Sequence, residues 1–144
     1  MFSKACEYGI RAVIFIVSNS KEGKRAGIRD ICKAIEAPQP FTAKILQDLS
    51  RKGIIASAKG PNGGFYMDED APELRLIDVV SAIDGDQVFI GCGLGLSVCS
   101  EEKPCPIHYE FVEIRDKLKQ MLENTTVTQL TSDLDKGLTF LSKR

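Results

Sequence analysis

The sequence predicts a mainly α-helical fold with a small β-hairpin, a winged helix-turn-helix followed by a long C-terminal dimerisation helix. Three observations predict it: apolar residues at helical spacing in the first half, a glycine-rich turn between two short apolar runs, and a coiled-coil-like stripe near the C-terminus. The chain has 144 residues, of which 43% are hydrophobic and 27% charged, as expected of a globular chain that buries a core. This length excludes a large multidomain enzyme.

Three helices are predicted ahead of the hairpin. Apolar side chains cover most of a helix surface over residues 4–17, which indicates a central helix that is packed on several sides. A second apolar set at helical spacing predicts a short helix over residues 28–35. Pro38 and Pro40 cannot lie inside a helix but can open one, so a third helix is predicted to start there and to end at Gly53.

The segment after the third helix is predicted to form a β-hairpin. Residues 54–58 and 65–67 are read as two strands, and residues 59–64 form a glycine-rich turn between them. Glycine permits the positive φ angles and the close main-chain approach that a loop on a phosphate backbone needs. A pair of short helices followed by such a hairpin is the plan of a winged helix-turn-helix. A hairpin that only reverses the chain is the alternative.

The charges are divided unevenly between the two halves of the chain. Residues 1–67 carry eleven Lys or Arg against five Asp or Glu, whereas residues 68–144 carry eight against fifteen. A basic half binds a polyanion by displacing its condensed counterions, and an acidic half restricts the docking face. Charge alone leaves open that these are solvated faces without a partner. Together with the helix-turn-helix pattern, the division predicts binding of a double-stranded DNA operator.

The candidate DNA-binding residues lie on the third helix and on the wing. The N-terminal turns of a recognition helix face the major groove. The candidates on this helix are Gln39, Thr42, Ala43 and Lys44. Lys59 and Asn62 lie on the wing, within reach of phosphate or of the minor groove. Arg51 and Lys52 are interpreted as charges that suit the C-terminal end of the helix dipole, with phosphate contact as the alternative.

A loop rich in cysteine and glycine, residues 86–106, follows a fourth predicted helix that ends near Gly85. Three cysteines and the only histidine of the chain fall in this loop or next to it: Cys92, Cys99, Cys105 and His108. Cys6 and Cys32 instead lie singly on apolar helix faces, as structural cysteines do. Soft thiolates with an imidazole suit an iron–sulfur cluster or zinc. The wide gaps between the cysteines differ from the closely paired C-x-x-C cysteines of structural zinc sites. This spacing favours an iron–sulfur cluster over zinc, and uncomplexed thiols are a third alternative.

An apolar stripe follows the loop at intervals of four, three, four and three residues, which is the a/d spacing of a coiled-coil seam. The stripe consists of Ile107, Phe111, Ile114, Leu118 and Met121. A helix with this stripe is expected to pack on its copy in a homodimer, although packing on the first helix of the same chain is an alternative. The predicted organisation is a winged helix-turn-helix domain (1–84), a cluster-binding loop (85–106), and a dimerisation helix with a C-terminal segment (107–144).

Six motifs occur together over nearly the whole chain. They are Tyr8-Gly9-Ile10-Arg11-Ala12, Ile28-Arg29-Asp30-Ile31, residues 41–49, Gly53-Ile54-Ile55, the wing at 60–65 and the three-cysteine loop. With these motifs the chain resembles the Rrf family of bacterial winged-helix transcriptional regulators, which includes the IscR, NsrR and CymR types, and it is closest to the members that bind an iron–sulfur cluster. The resemblance implies a 2Fe-2S or 4Fe-4S centre held by Cys92, Cys99 and Cys105.

The resemblance offers two candidates for the fourth ligand. In the IscR type it is a histidine shortly after the third cysteine, which matches His108. In the NsrR type it is a carboxylate on the first helix of the partner subunit, which matches Glu7. His108 is preferred because it is the only histidine and lies next to the loop. The implied function is a regulator whose DNA affinity changes when the cluster is gained, lost, oxidised or nitrosylated.

Other function classes are disfavoured. The sequence has no nucleophile elbow, phosphate loop or catalytic carboxylate pair, so we do not expect an enzyme. The longest apolar run, residues 12–17, is far shorter than the roughly 20 residues that span a bilayer. The N-terminus does not resemble a signal peptide, so a cytoplasmic location is expected. The remaining alternative is a winged-helix DNA-binding regulator with a structural zinc or a free-thiol redox switch.

Overall fold

The computed structural model describes residues 1–142, which form helices and one two-stranded hairpin. The elements in chain order are α1 (Lys4–Lys21), α2 (Ile28–Ile35), α3 (Gln39–Arg51), β1 (Ala56–Ala58), β2 (Gly64–Tyr66), α4 (Leu76–Asp84), α5 (Gln87–Ile90), α6 (His108–Asn124) and α7 (Val127–Asp135). The predicted fold class, mainly helical with a hairpin wing, is confirmed.

Helix α1 lies at the centre of the core. The hydroxyl of Ser3 caps it by accepting a hydrogen bond from the backbone N–H of Cys6 at 3.0 Å. The helix packs against α2, α3, α4 and α7, as its apolar surface predicts. Its predicted end at residue 17 is wrong by one turn: the helix continues to Lys21, and Ser18 and Lys21 in this last turn both contact Asp135 of α7.

Helices α2 and α3 form the predicted helix-turn-helix. Helix α2 ends at Glu36, which adopts a left-handed conformation with φ of 54°. Arg11 of α1 donates a hydrogen bond to the carbonyl of Ile35 at 2.9 Å and so holds the turn. Pro38 then caps α3, and Pro40 lies in its first turn, where the absence of a proline N–H costs nothing because the N–H groups of this turn have no internal acceptor.

The hairpin is shorter than predicted. β1 and β2 pair antiparallel, with Ser57 opposite Phe65. Residues 54 and 55 precede β1, because the N–H of Ile54 bonds to the carbonyl of Leu49 and closes the end of α3. Gly64 has φ of +139°, and a Cβ at this position would lie 2.8 Å from the carbonyl oxygen of Ala26. This glycine therefore lets the wing lie against the segment before α2.

The second half of the chain closes the core rather than forming a separate layer. Helix α6 packs on α4 and α5, and α7 returns to α1. The N–H of Leu76 donates to the carbonyl of Thr125 at 2.9 Å, and that of Val127 donates to the carbonyl of Leu74 at 2.8 Å. Helix α5 was not predicted, and its Phe89 is buried. Within residues 1–142, no helix has both the length and the hydropathy that crossing a membrane requires.

Candidate DNA interface and cysteine site

The first turns of α3 present an outward face that suits DNA. Gln39 and Lys44 are exposed and Ala43 is half-buried. No acidic residue occupies the first turn, so the free backbone N–H groups and the helix dipole give this end a positive potential. Gln47 is also exposed one turn after Ala43. Gln47 is not among the residues predicted above, although the i, i+4 spacing from Ala43 places it on the same row.

Thr42 does not lie on this outward face, and the expectation that it faces DNA is wrong. Its side chain is 0% exposed, and its Oγ1 has no hydrogen-bond partner among the described residues. Thr42 belongs to the buried row of α3 with Ile45, Leu46 and Leu49. These positions are separated by three or four residues, so they share the face that packs on the core.

The wing carries the two predicted residues, and a third residue from another segment contacts it. Lys59 and Asn62 are exposed at the turn. Arg25, just before α2, donates a hydrogen bond from Nη1 to the carbonyl of Asn62 at 3.3 Å. Its guanidinium also lies over the ring of Tyr66, 4.8 Å from the ring centroid. Arg25 is far from the wing in sequence, so no local pattern predicts this contact.

The four candidate ligands of the cysteine loop form two pairs. The Sγ atom of Cys99 lies 3.5 Å from Nδ1 of His108, which is the first residue of α6 and is 5% exposed. The thiol of Cys105 interacts with that of Cys92 and contributes to lowering the pKa of Cys92. All three loop cysteines are free and half-buried. Within residues 1–142, no set of three or more Cys, His, Asp and Glu side chains is close enough to bind one metal ion.

The loop cysteines differ chemically from the buried ones. Backbone N–H groups of Leu94 and Leu96 point at the sulfur of Cys92 and lower the pKa of this thiol, and the interaction with Cys105 acts in the same direction. In α1, burial and the carboxylate of Asp84 raise the pKa of Cys6 to about 12. Cys6 and Cys32 are buried, which confirms that they belong to the core. Thiolate chemistry is therefore favoured in the loop and opposed in the core.

The donor set fits a thiolate-held iron–sulfur cluster or a zinc ion in its chemistry. It offers three accessible thiols and an imidazole, all between residues 92 and 108. Because the donors stand as two pairs, the pairs must move together before they can share one centre. Glu7 lies apart on α1 and forms an ion pair with Lys4 at 3.0 Å, so its role as a ligand from a partner subunit stays a prediction.

Comparison with known protein families identifies the family of this chain. The profile of Rrf2, described as an iron-dependent transcriptional regulator, matches residues 2–133. The chain belongs to the Rrf2 family. It is therefore a transcriptional regulator and not an enzyme, as the motifs implied. A relative from Aquifex aeolicus (strain VF5), named as an HTH-type transcriptional regulator, is 26% identical over 140 residues, with 96% of each chain covered.

Further relatives of this Rrf2 chain include IscR proteins and CymR. The HTH-type transcriptional regulator IscR of Cronobacter sakazakii (strain ATCC BAA-894) is 25% identical over 126 residues, which cover 88% of this chain and 76% of that protein. The structure of CymR, the global cysteine regulator of B. subtilis, has a TM-score of 0.73 at 18% identity, covering 92% of this chain and 96% of CymR. T. potens IscR has a TM-score of 0.72 at 12% identity, covering 96% and 91%. These structures share the fold.

Proposed function

We propose that this Rrf2 protein is a homodimeric, operator-binding regulator that senses iron–sulfur status, redox conditions or nitric oxide through a cluster in its cysteine loop. The ligands are Cys92, Cys99, Cys105 and His108, with the partner's Glu7 as the less favoured fourth ligand. One observation carries the proposal: three accessible thiols lie on the loop between α5 and α6, and Cys99 already contacts His108 at the start of α6. Structural cysteines in this chain are buried instead.

The DNA-binding part of the proposal rests on α3 and the wing. Gln39, Ala43 and Lys44 lie on the accessible side of α3, and Lys59 and Asn62 lie on the wing. On helix α3, Lys44 would contact phosphate or a base edge in the major groove. On the wing, Lys59 would contact phosphate. These cations are exposed, so binding requires no rearrangement of the core.

The sensing part depends on how the loop connects to α6. Three thiolates and the imidazole would hold the cluster, which when bound supplies one-electron redox chemistry and reactivity toward oxygen and nitric oxide. Moving the two donor pairs together orders residues 92–105. Because His108 is the first residue of α6, closing the loop pulls on this helix. In a dimer built on α6, this shift changes the distance between the two recognition helices.

The dimer part of the proposal rests on the apolar stripe of α6. Ile107, Ile114 and Met121 are exposed, and a second copy of α6 is a partner with the same spacing. Ile114→Glu should convert the dimer to a monomer, because two carboxylates then face each other across the seam. Light scattering after gel filtration measures the mass, and Gln120→Glu, which adds a carboxylate at an exposed position away from the seam, is the matched control.

Anaerobic purification tests the sensing part. We expect iron, sulfide and visible absorbance in the protein, and we expect its affinity for duplexes selected from a random-sequence pool to change when the cluster is removed. A colourless protein without iron or sulfide, even after anaerobic reconstitution, would refute cluster sensing. Bound zinc without sulfide would support the structural-zinc alternative.

A thiol switch is the second candidate, and one contact favours it. Backbone N–H groups and the interacting side chain of Cys105 lower the pKa of Cys92, which favours the nucleophilic thiolate. A two-electron oxidant such as hydrogen peroxide would join the two sulfurs, and the thiols would lose two protons and two electrons to the oxidant. Peptide mass spectrometry of cluster-free protein after peroxide treatment distinguishes this candidate: a Cys92–Cys105 disulfide that changes DNA affinity supports it.

A further inference from the structure

Arg115 on α6 contacts both arms of the cysteine loop. Its Nη1 donates a hydrogen bond to the carbonyl of Gly91 at 2.8 Å and lies 3.5 Å from Sγ of Cys99. Gly91 immediately precedes Cys92, and Cys99 belongs to the other donor pair. One guanidinium thus links the backbone next to Cys92 to the sulfur of Cys99.

The guanidinium of the half-buried Arg115 has no acidic partner among the described residues, and one of its N–H groups is unsatisfied. Its Nε is buried and has no hydrogen-bond partner among the described residues. The ion pairs found within residues 1–142 do not include Arg115, and the nearby Glu113 pairs with Lys117 at 3.0 Å. A desolvated cation is costly unless a negative group compensates it. Cys99 is the sulfur ligand within reach of this charge.

The surroundings of Arg115 strengthen its electrostatic effect. A groove of about 430 Å³ between the loop and α6 is lined by Arg115, Cys92 and the apolar side chains of Phe111, Ile114 and Leu118. Apolar walls reduce solvent screening, so a charge here acts more strongly on its neighbours than a charge on the open helix face. Lys117, on the same helix, is 72% exposed and serves as a comparison.

We infer that Arg115 is a positioning residue of the cluster site, which donates a hydrogen bond to the Cys99 sulfur and compensates negative charge on the thiolate-held centre. This inference rests on the proposed function. Hydrogen bonds to ligand sulfurs and net charge both set the reduction potential of such centres. Partners that orient ligands also commonly change metal affinity by a factor of roughly 10 to 100 when they are removed. Arg115 should therefore raise the potential and slow cluster loss.

Three variants in the full-length protein test the inference. Arg115→Met removes the charge and the donors, Arg115→Gln keeps a donor without the charge, and Lys117→Met removes an exposed charge from the same helix. After anaerobic reconstitution, Arg115→Met should have a more negative reduction potential and lose its cluster to a chelator roughly tenfold faster. Lys117→Met should match the wild type in both measurements. In cluster-free protein, hydrogen exchange of loop amides should be faster in Arg115→Met, because the bond to Gly91 is lost.

The outcomes separate this inference from the proposed function. A wild type that holds the cluster, with an unchanged potential in Arg115→Met, overturns the role of Arg115 and leaves cluster sensing intact. A wild type that never takes up iron and sulfide overturns both. If Arg115→Met retains no cluster, Arg115→Gln decides: a lowered potential supports the inference, and a potential equal to that of the wild type overturns it.

Discussion

The helix-turn-helix and the cysteine loop are built in opposite ways. Helix α3 is held by a buried row that includes Leu46 and Leu49, and its exposed side chains are therefore fixed in place. Residues 91–107 contain no helix or strand, and their candidate ligands stand as two separate pairs. Recognition of a duplex needs a surface with a fixed shape, whereas a sensor needs a segment that has two arrangements. Under the proposed function, the chain separates these two requirements in space.

Replacement of Cys99 by alanine should produce the largest effect, complete loss of the cluster. The fold should survive, because Cys99 lies in the irregular loop and outside the core. Iron and sulfide analysis measures the first effect, and thermal unfolding followed by circular dichroism measures the second. Cys32→Ala is the control, since this cysteine is buried in α2: it should retain the cluster and lower the stability. Full cluster content in Cys99→Ala would contradict the ligand assignment.

Truncation of matched leucines should show how differently the two regions support the fold. Leu46→Ala removes a side chain that is 0% exposed, and we expect it to lower the free energy of unfolding by about 2–5 kcal/mol. Leu96→Ala changes a loop side chain that is 55% exposed, and the expected loss is below about 0.5 kcal/mol. Denaturant titration of the cluster-free proteins measures both. Equal losses would show that the loop packs as tightly as the core.

Single lysine substitutions should weaken DNA binding moderately and alter its salt dependence. Lys44→Ala and Lys59→Ala should each reduce the slope of log affinity against log salt by about 1, because each removes one phosphate contact. Lys117→Ala, on the far half of the chain, should leave the slope unchanged. Fluorescence anisotropy at several salt concentrations gives the slopes. A slope that does not change removes that lysine from the interface.

Thiol alkylation should show the smallest effect, a difference in reaction rate between a loop cysteine and a core cysteine. The lowered pKa of Cys92 shifts its reaction with iodoacetamide to lower pH, so native Cys92 should react faster at neutral pH than the same cysteine in urea. Cys6, with a pKa of about 12 and a buried sulfur, should stay unmodified until the protein unfolds. Because the pKa of the Cys6 thiol is higher in the folded protein, its protonation contributes fully to the free energy of unfolding below pH 9. This contribution is lost as the pH rises toward 12. Peptide mass spectrometry measures the extent of alkylation at each cysteine.

The sequence predicts the regular elements well because their signals are local. Helical spacing identifies α1, α2 and α3 within a few residues, and the same spacing, applied more strictly, would have placed Thr42 in the core. Contacts between distant segments leave no such signal. The extra turn of α1 contacts Asp135, and the wing contacts Arg25. The loop cysteines were recognisable by composition, but their pairing depends on how the loop folds back on α6.

The docking of α7 on α1 has a consequence for synthesis on the ribosome. Val127 and Thr131 are buried where α7 meets the rest of the core, and Asp135 binds the end of α1. A nascent chain that has emerged only as far as the cysteine loop still exposes apolar surface of its first helix to water. The first half is therefore expected to reach its final stability only after the last helix has left the exit tunnel, and a chain that ends before α7 should be prone to aggregation.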